Sequence, residues 1–271
     1  CSSDLGNEVV SNQTFTVAPY TTIPTDYALA APATTPGLVA NRIFQTAAAR
    51  FPGNAPNATA TAEMQLIGGM IDPANGNPQP NIAEDDGPIN IGGAIEANIF
   101  WTPYVNWEQR SSNIAATGAQ PDNFNTEEPP GTPGQAAGEY GNLFPPGVLL
   151  GIDESNPADN FVIETIAYVN LKRGLHRWGV NSDDGFKVSV APGQPSAFGL
   201  VLGEFGAAGG RGASDTLFDF VVETDGFYPV RCLWWEGGGG ANCEWFSVNI
   251  DTGEKILRSE EHTSELQSRQ S

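Results

Sequence analysis

Phe186, Val188 and Val190 stand two residues apart, and Thr216, Phe218, Phe220 and Val222 repeat the spacing. Successive side chains of a β-strand point to opposite faces, so a period of two marks a strand with one buried face. Val230, Cys232 and Trp234 continue the pattern, and residues 161–169 and 244–250 are rich in β-branched and aromatic side chains. Lys172-Arg173-Gly174, Thr224-Asp225-Gly226 and Asp251-Thr252-Gly253 supply turns between these runs. Strands at this spacing predict an all-β fold, an antiparallel β-sandwich. The chain has 32 Gly and 21 Pro and only 16% charged residues, which favours turns over long helices. Long loops are therefore expected, with one or two short helices at residues 47–50 and 60–67; the second segment also reads as a strand.

Residues 37–45 read as the strand that opens the main domain, which spans 37–257 and is long enough to bury its own core. Residues 1–36 are rich in Thr, Pro, Ala and Ser. They are expected to form a linker, running from Tyr20-Thr21-Thr22-Ile23-Pro24 onward, with residues 13–18 as the last strand of a preceding domain. Ile99-Phe100-Trp101 and Tyr104-Val105-Asn106-Trp107 read as short aromatic strands, and residues 72–93 and 110–147 as loops. Arg258-Ser259-Glu260-Glu261-His262-Thr263-Ser264-Glu265-Leu266-Gln267-Ser268 resembles the in-frame translation of a sequencing adapter. The tail 258–271 is thus expected to be an artefact. The chain lacks an initiator Met and reads as a fragment of a larger polypeptide with flanking domains; alternatively Cys1 is the lipid-bearing first residue of a bacterial lipoprotein.

The formal net charge of -20 would repel phosphate, which argues against nucleic acid as a partner. No apolar run is long enough to span a bilayer. An acidic surface poor in Lys suits a secreted protein with a neutral ligand or a divalent cation. Outside the tail the only histidine is His176, within a strand pattern, and no nucleophile elbow or zinc spacing accompanies it. Residues 206–212 are glycine-rich but lack the Lys-Ser/Thr of a nucleotide loop. Of the catalytic classes, only a carboxylate-based glycoside hydrolase stays open.

Asp183-Asp184-Gly185 interrupts two strand patterns. In one reading it is an ordinary β-turn, with Asp bonding local N–H groups and Gly taking positive φ. In the other, a cation relieves the repulsion between the two carboxylates. Calcium takes about six to eight oxygen ligands; Asp183 and Asp184 supply two, and Asn181 or Ser182 can add another. Asp85-Asp86-Gly87 repeats the tripeptide without flanking strands and reads as a solvated turn. Glu236 precedes four glycines, which form either a tight hairpin loop or a backbone that a ligand approaches closely. Alternation sends one of Trp234 and Trp235 inward, and Trp235 is expected to be the exposed one, with a face free to stack on a sugar. Cys232 and Cys243 flank this segment. If it is a hairpin they suit a cross-strand disulfide, which implies an oxidising compartment; otherwise they are two small buried thiols.

Asp159-Asn160-Phe161 and the strand after it, with Gly179-Val180-Asn181-Ser182-Asp183-Asp184-Gly185-Phe186, resemble the PA14 family. Phe227-Tyr228-Pro229-Val230-Arg231 is similar to that family's late strand, and Glu236-Gly237-Gly238-Gly239-Gly240-Ala241 to the loop after it. Leu202-Gly203-Glu204-Phe205, Asp215-Thr216-Leu217-Phe218 and Glu244-Trp245-Phe246-Ser247-Val248 resemble a PA14-like variant of large secreted proteins of environmental bacteria. Cys232 and Cys243 replace residues that are usually apolar there. The resemblance implies a non-catalytic β-sandwich module, often glycan-binding. In its glycan-binding members two adjacent aspartates, joined by a cis peptide, hold calcium, and sugar hydroxyls complete the coordination. That role maps onto Asp183 and Asp184, and Glu236 or Asn242 would replace the family's Asn on the late loop. The expectation is an extracellular or cell-surface module whose partner is a glycan or a cell-surface polysaccharide, bound at Asp183, Asp184, Trp235, Glu236 and Asn242. Its calcium ligands would be Asp183, Asp184 and Asn181. A structural spacer or adhesion module without a small-molecule ligand is the alternative.

Overall fold

The computed structural model describes residues 20–30, 39–46, 57–81, 90–91, 94–95, 99–102, 105–108, 159–206 and 209–257. In chain order the strands are β1 (Thr21–Ile23), β2 (Val39–Gln45), β3 (Asn90–Ile91), β4 (Ala94–Ile95), β5 (Ile99–Thr102), β6 (Asn106–Glu108) and β7 (Phe161–Leu171). There follow β8 (Gly174–Asp183), β9 (Gly185–Val190), β10 (Leu200–Phe205), β11 (Ser214–Val222), β12 (Gly226–Glu236), β13 (Asn242–Val248) and β14 (Lys255–Leu257). Among the described residues there is one α-helix, α1 (Thr59–Leu66), and it falls where the sequence was open between helix and strand. The strands form two large sheets, an all-β sandwich. The first runs β1-β11-β8-β13, with β6 and β14 sharing the far edge of β13; the second runs β10-β9-β12-β7-β2-β5. A small ribbon pairs β3 with β4.

The apolar period-two residues are in the core, whereas Thr216 is only half-buried. Trp178 and Val180 of β8, with Trp245 of β13, share one buried cluster with Phe186 and Val188 of β9 and Trp234 of β12. The outer face of the second sheet is covered as well: Ala62 and Leu66 of α1 pack with Val162, Leu233 and Trp235. An ion-pair network pins the helix there. The buried Arg231 guanidinium forks onto both Glu63 oxygens at 2.7 Å and reaches Glu164 at 2.6 Å, and Lys187 joins Glu63 at 3.1 Å.

Three connections cross between the sheets at one rim: β8 to β9, β10 to β11, and β12 to β13. Each carries turn residues that the core cannot hold, and this rim builds the site described below. At the opposite rim the β7–β8 and β11–β12 crossings meet, where Asp225 accepts from Lys172 Nζ and the Arg173 N–H.

One expectation is corrected, and one open alternative is decided. Thr21–Ile23 is not linker: it pairs parallel with Phe220–Val222 of β11, and Ile23 is buried in the core. Pro24, which follows it, fits an edge strand, where a missing N–H donor costs the ladder nothing. Glu236–Asn242 is not a hairpin either. β12 and β13 belong to opposite sheets, so Cys232 and Cys243 project into the shared core from either side as free, buried thiols. Residues 13–18, 47–50, 85–87, 110–147 and 258–271 lie outside the described residues.

Candidate functional site

Asp183 ends β8, Asp184 makes the corner, and Gly185 begins β9 in the other sheet. The peptide bond joining Asp183 and Asp184 is cis. This is not the ordinary β-turn. Gly185 is not needed for positive φ; it is needed because the Trp235 indole lies over it, and a Cβ there would come within 2.2 Å of that ring. The Asp184 carboxylate does not bond local amides. Its Oδ1 accepts the Arg211 N–H at 2.9 Å, and its Oδ2 accepts the Gly237 N–H at 2.9 Å and the Asn57 side-chain amide. These donors come from three separate stretches of chain and fix the orientation of the carboxylate.

Glu236 closes β12 directly beneath this corner, and its Oε1 accepts the Gly238 N–H at 2.6 Å. Carboxylate oxygens of Asp183, Asp184 and Glu236 all lie within 4.8 Å of one another, and all three residues are buried. Burial comes first in raising Asp183 to about 7, with the neighbouring Asp184 charge adding to it. Burial likewise raises Glu236 to about 10, assisted by Asp184 and Asp183. Crowded carboxylates of this kind either keep protons or hold a cation.

Asn242 opens β13 as the register partner of Asp183. Its side chain is fully buried, and among the described residues neither Oδ1 nor Nδ2 has a hydrogen-bond partner. The Oδ1 of such an amide, beside converging carboxylates, is a free ligand for an oxygen-seeking ion, and its Nδ2 is left to donate to a further ligand. Three carboxylates and an amide carbonyl suit calcium, which prefers hard oxygens, and the fit needs further oxygens from ligand or water.

The sequence-expected residues thus separate. Asp183, Asp184 and Glu236 converge, and Asn242 adjoins them. Asn181 lies two residues before Asp183 on β8, and its Nδ2 donates to Asp215 Oδ1 at 2.8 Å, across to β11. Trp235 is corrected: alternation does turn it away from Trp234 and the sandwich core, but α1 covers that outer face, leaving it 1% exposed. His176 contacts the Lys172 carbonyl toward the opposite rim.

Sequence reasoning missed Arg211 and Asn57. Arg211 sits within the glycine-rich stretch 206–212, and a cation flanked by glycines in a chain with 12 Lys+Arg is a usable signal. Asn57 carries none, because its role exists only through contact with Asp184, 127 residues away.

No family model matches the chain, and no curated protein matches it. Solved structures similar to it include a PA14 sugar-binding domain from an RTX adhesin: 14% identity, TM-score 0.45, covering 84% of this chain and 97% of that one. The PA14 domain of the MpAFP antifreeze protein shares 11% identity at TM-score 0.41, over 86% and 94% of the two chains. A subtype-switched epithelial adhesin A domain from Candida glabrata, solved in complex with beta-lactose, shares 13% identity at TM-score 0.41, over 89% and 92%.

Proposed function

We propose that this chain is a non-catalytic, extracellular PA14-type module that binds a glycan through calcium held by Asp183, Asp184 and Glu236, with Asn242 as a further oxygen donor. One observation carries the reading: three buried carboxylates converge within 4.8 Å beside an amide whose polar atoms have no partner among the described residues. The ordered sequence series that resembles the family, and the two-sheet sandwich with its corner at Asp183-Asp184, support it. When bound, calcium would neutralise the acids and accept sugar hydroxyls as ligands. The chain's own part is to hold the oxygens in place, through the N–H groups of Arg211 and Gly237 and the Asn57 amide. Among the described residues no helix is long and apolar enough to cross a membrane.

The test is a calorimetric titration of the whole chain with calcium, followed by a glycan array with and without a chelator. Saturable calcium binding that is lost in Asp184→Asn, with chelator-sensitive glycan signals, supports the reading. Calcium binding with a blank array reduces it to a metal-stabilised spacer. No calcium binding and a blank array overturn it.

A further inference from the structure

Arg211 occupies the β10–β11 crossing, in the glycine-rich stretch that the sequence left without a role. Its Nε reaches the carbonyl oxygens of Ser182 at 3.1 Å and Asp184 at 3.2 Å, which flank Asp183 on either side. Nη2 donates to Ser182 Oγ at 2.7 Å and Nη1 to Thr216 Oγ1 at 2.9 Å. The guanidinium stacks on Phe205, 4.0 Å from the ring centroid, with Phe186 at 5.9 Å. Its backbone N–H holds Asp184 Oδ1. Gly210 permits this approach, since a Cβ there would stand 2.5 Å from Asp184 Oδ1.

The direction of these bonds decides between two roles. A counter-ion would place its N–H groups on the carboxylates. Arg211 instead aims its side-chain N–H groups at neutral carbonyls and hydroxyls, while an aromatic face fixes its plane. We propose that Arg211 is the positioning residue of the acid cradle, its planar fork fixing the backbone on both sides of Asp183 so that the carboxylates converge. The inference rests on the calcium reading for its ligand but not for its geometry.

Arg211→Lys keeps the charge and loses the fork, whereas Arg211→Gln loses both. Both variants are expected to weaken calcium binding by about 10- to 100-fold, the usual cost of removing a group that orients a ligand. Ser182→Ala, which removes one acceptor of the fork, is expected to weaken binding by less and serves if the Arg211 variants do not fold. Arg177→Gln, which breaks an ion pair with Asp219 on the sheet exterior, is expected to leave calcium affinity unchanged. Wild-type affinity in Arg211→Lys, or tighter binding in Arg211→Gln, would show a purely electrostatic role and overturn the proposal.

If the wild-type chain binds no calcium, the functional reading fails and amide exchange decides this one. The Gly237 N–H rests on Asp184 Oδ2, 53 residues away in sequence. Its exchange in metal-free Arg211→Lys should speed by about tenfold or more, with Val230 in mid-strand unchanged as a measure of global opening. Unchanged exchange at Gly237 sinks the positioning role.

Discussion

The Gly237 N–H donates to Asp184 Oδ2 at 2.9 Å, joining the β12–β13 crossing to the β8–β9 corner. The other Asp184 oxygen accepts the Arg211 N–H, so both oxygens face donors. Asp184→Asn is nearly isosteric but must turn an NH2 toward one of those N–H groups. We expect a loss of about 1–3 kcal/mol in the calcium-free protein, the cost of a buried donor left without its acceptor. Urea denaturation in chelator measures it, and a variant as stable as wild type would contradict these contacts.

Stability without calcium should fall as pH rises. Asp183 moves from an ordinary 3.8 to about 7, and Glu236 from 4.5 to about 10. The folded chain therefore holds these protons more tightly than the unfolded chain. Their contribution is complete below pH 3.8 and drains away through 7 and on toward 10. Calcium requires the ionised carboxylates, so its affinity should climb across the same range. Thermal unfolding at several pH values, with chelator and with excess calcium, separates the two trends, which should run in opposite directions.

Glu63→Ala should loosen α1. Glu63 is the shared partner of Arg231 and Lys187, and Arg231 is 2% exposed. Removing it strips a buried guanidinium of two of its three hydrogen bonds to carboxylate oxygens. Because Glu63 itself is partly solvated, we expect about 2–3 kcal/mol, below the full cost of breaking a buried pair. Tryptophan emission should shift to the red as water reaches Trp235, and Leu66→Ala should reproduce the shift through lost packing alone.

Cys232 and Cys243 should be inert to a thiol reagent in the native protein. Burial pushes the Cys232 thiol up to about 12 and Cys243 well above its ordinary value. Only the thiolate reacts, and neither sulfur is accessible. Peptide mapping after labelling should find both sites modified only when the chain is unfolded first.

The strands and the acid pair were legible in the sequence because both write themselves locally. Phe186, Val188 and Val190 alternate since one face of β9 is buried, and Asp183-Asp184 repels itself wherever it sits. What failed depended on contacts distant in sequence. Trp235 was expected at the surface because alternation reports which face a side chain takes, not whether a helix lies over that face. The Cys pair stayed open between bridge and buried thiols because a glycine loop that returns to its own sheet and one that crosses to the other read alike. Thr21–Ile23 is three residues long and pairs parallel with residues 199 positions later, so no local pattern announces it.

Asn57, Asp184, Arg211 and Gly237 meet at one corner, although the outermost two are 180 positions apart in sequence (237 − 57). No excised peptide can rehearse such a corner, and loop-closure entropy delays it until distant stretches have docked. An ion there would clamp the finished sandwich and could not nucleate it. Chelation should accordingly hasten unfolding while leaving the rate of refolding almost untouched.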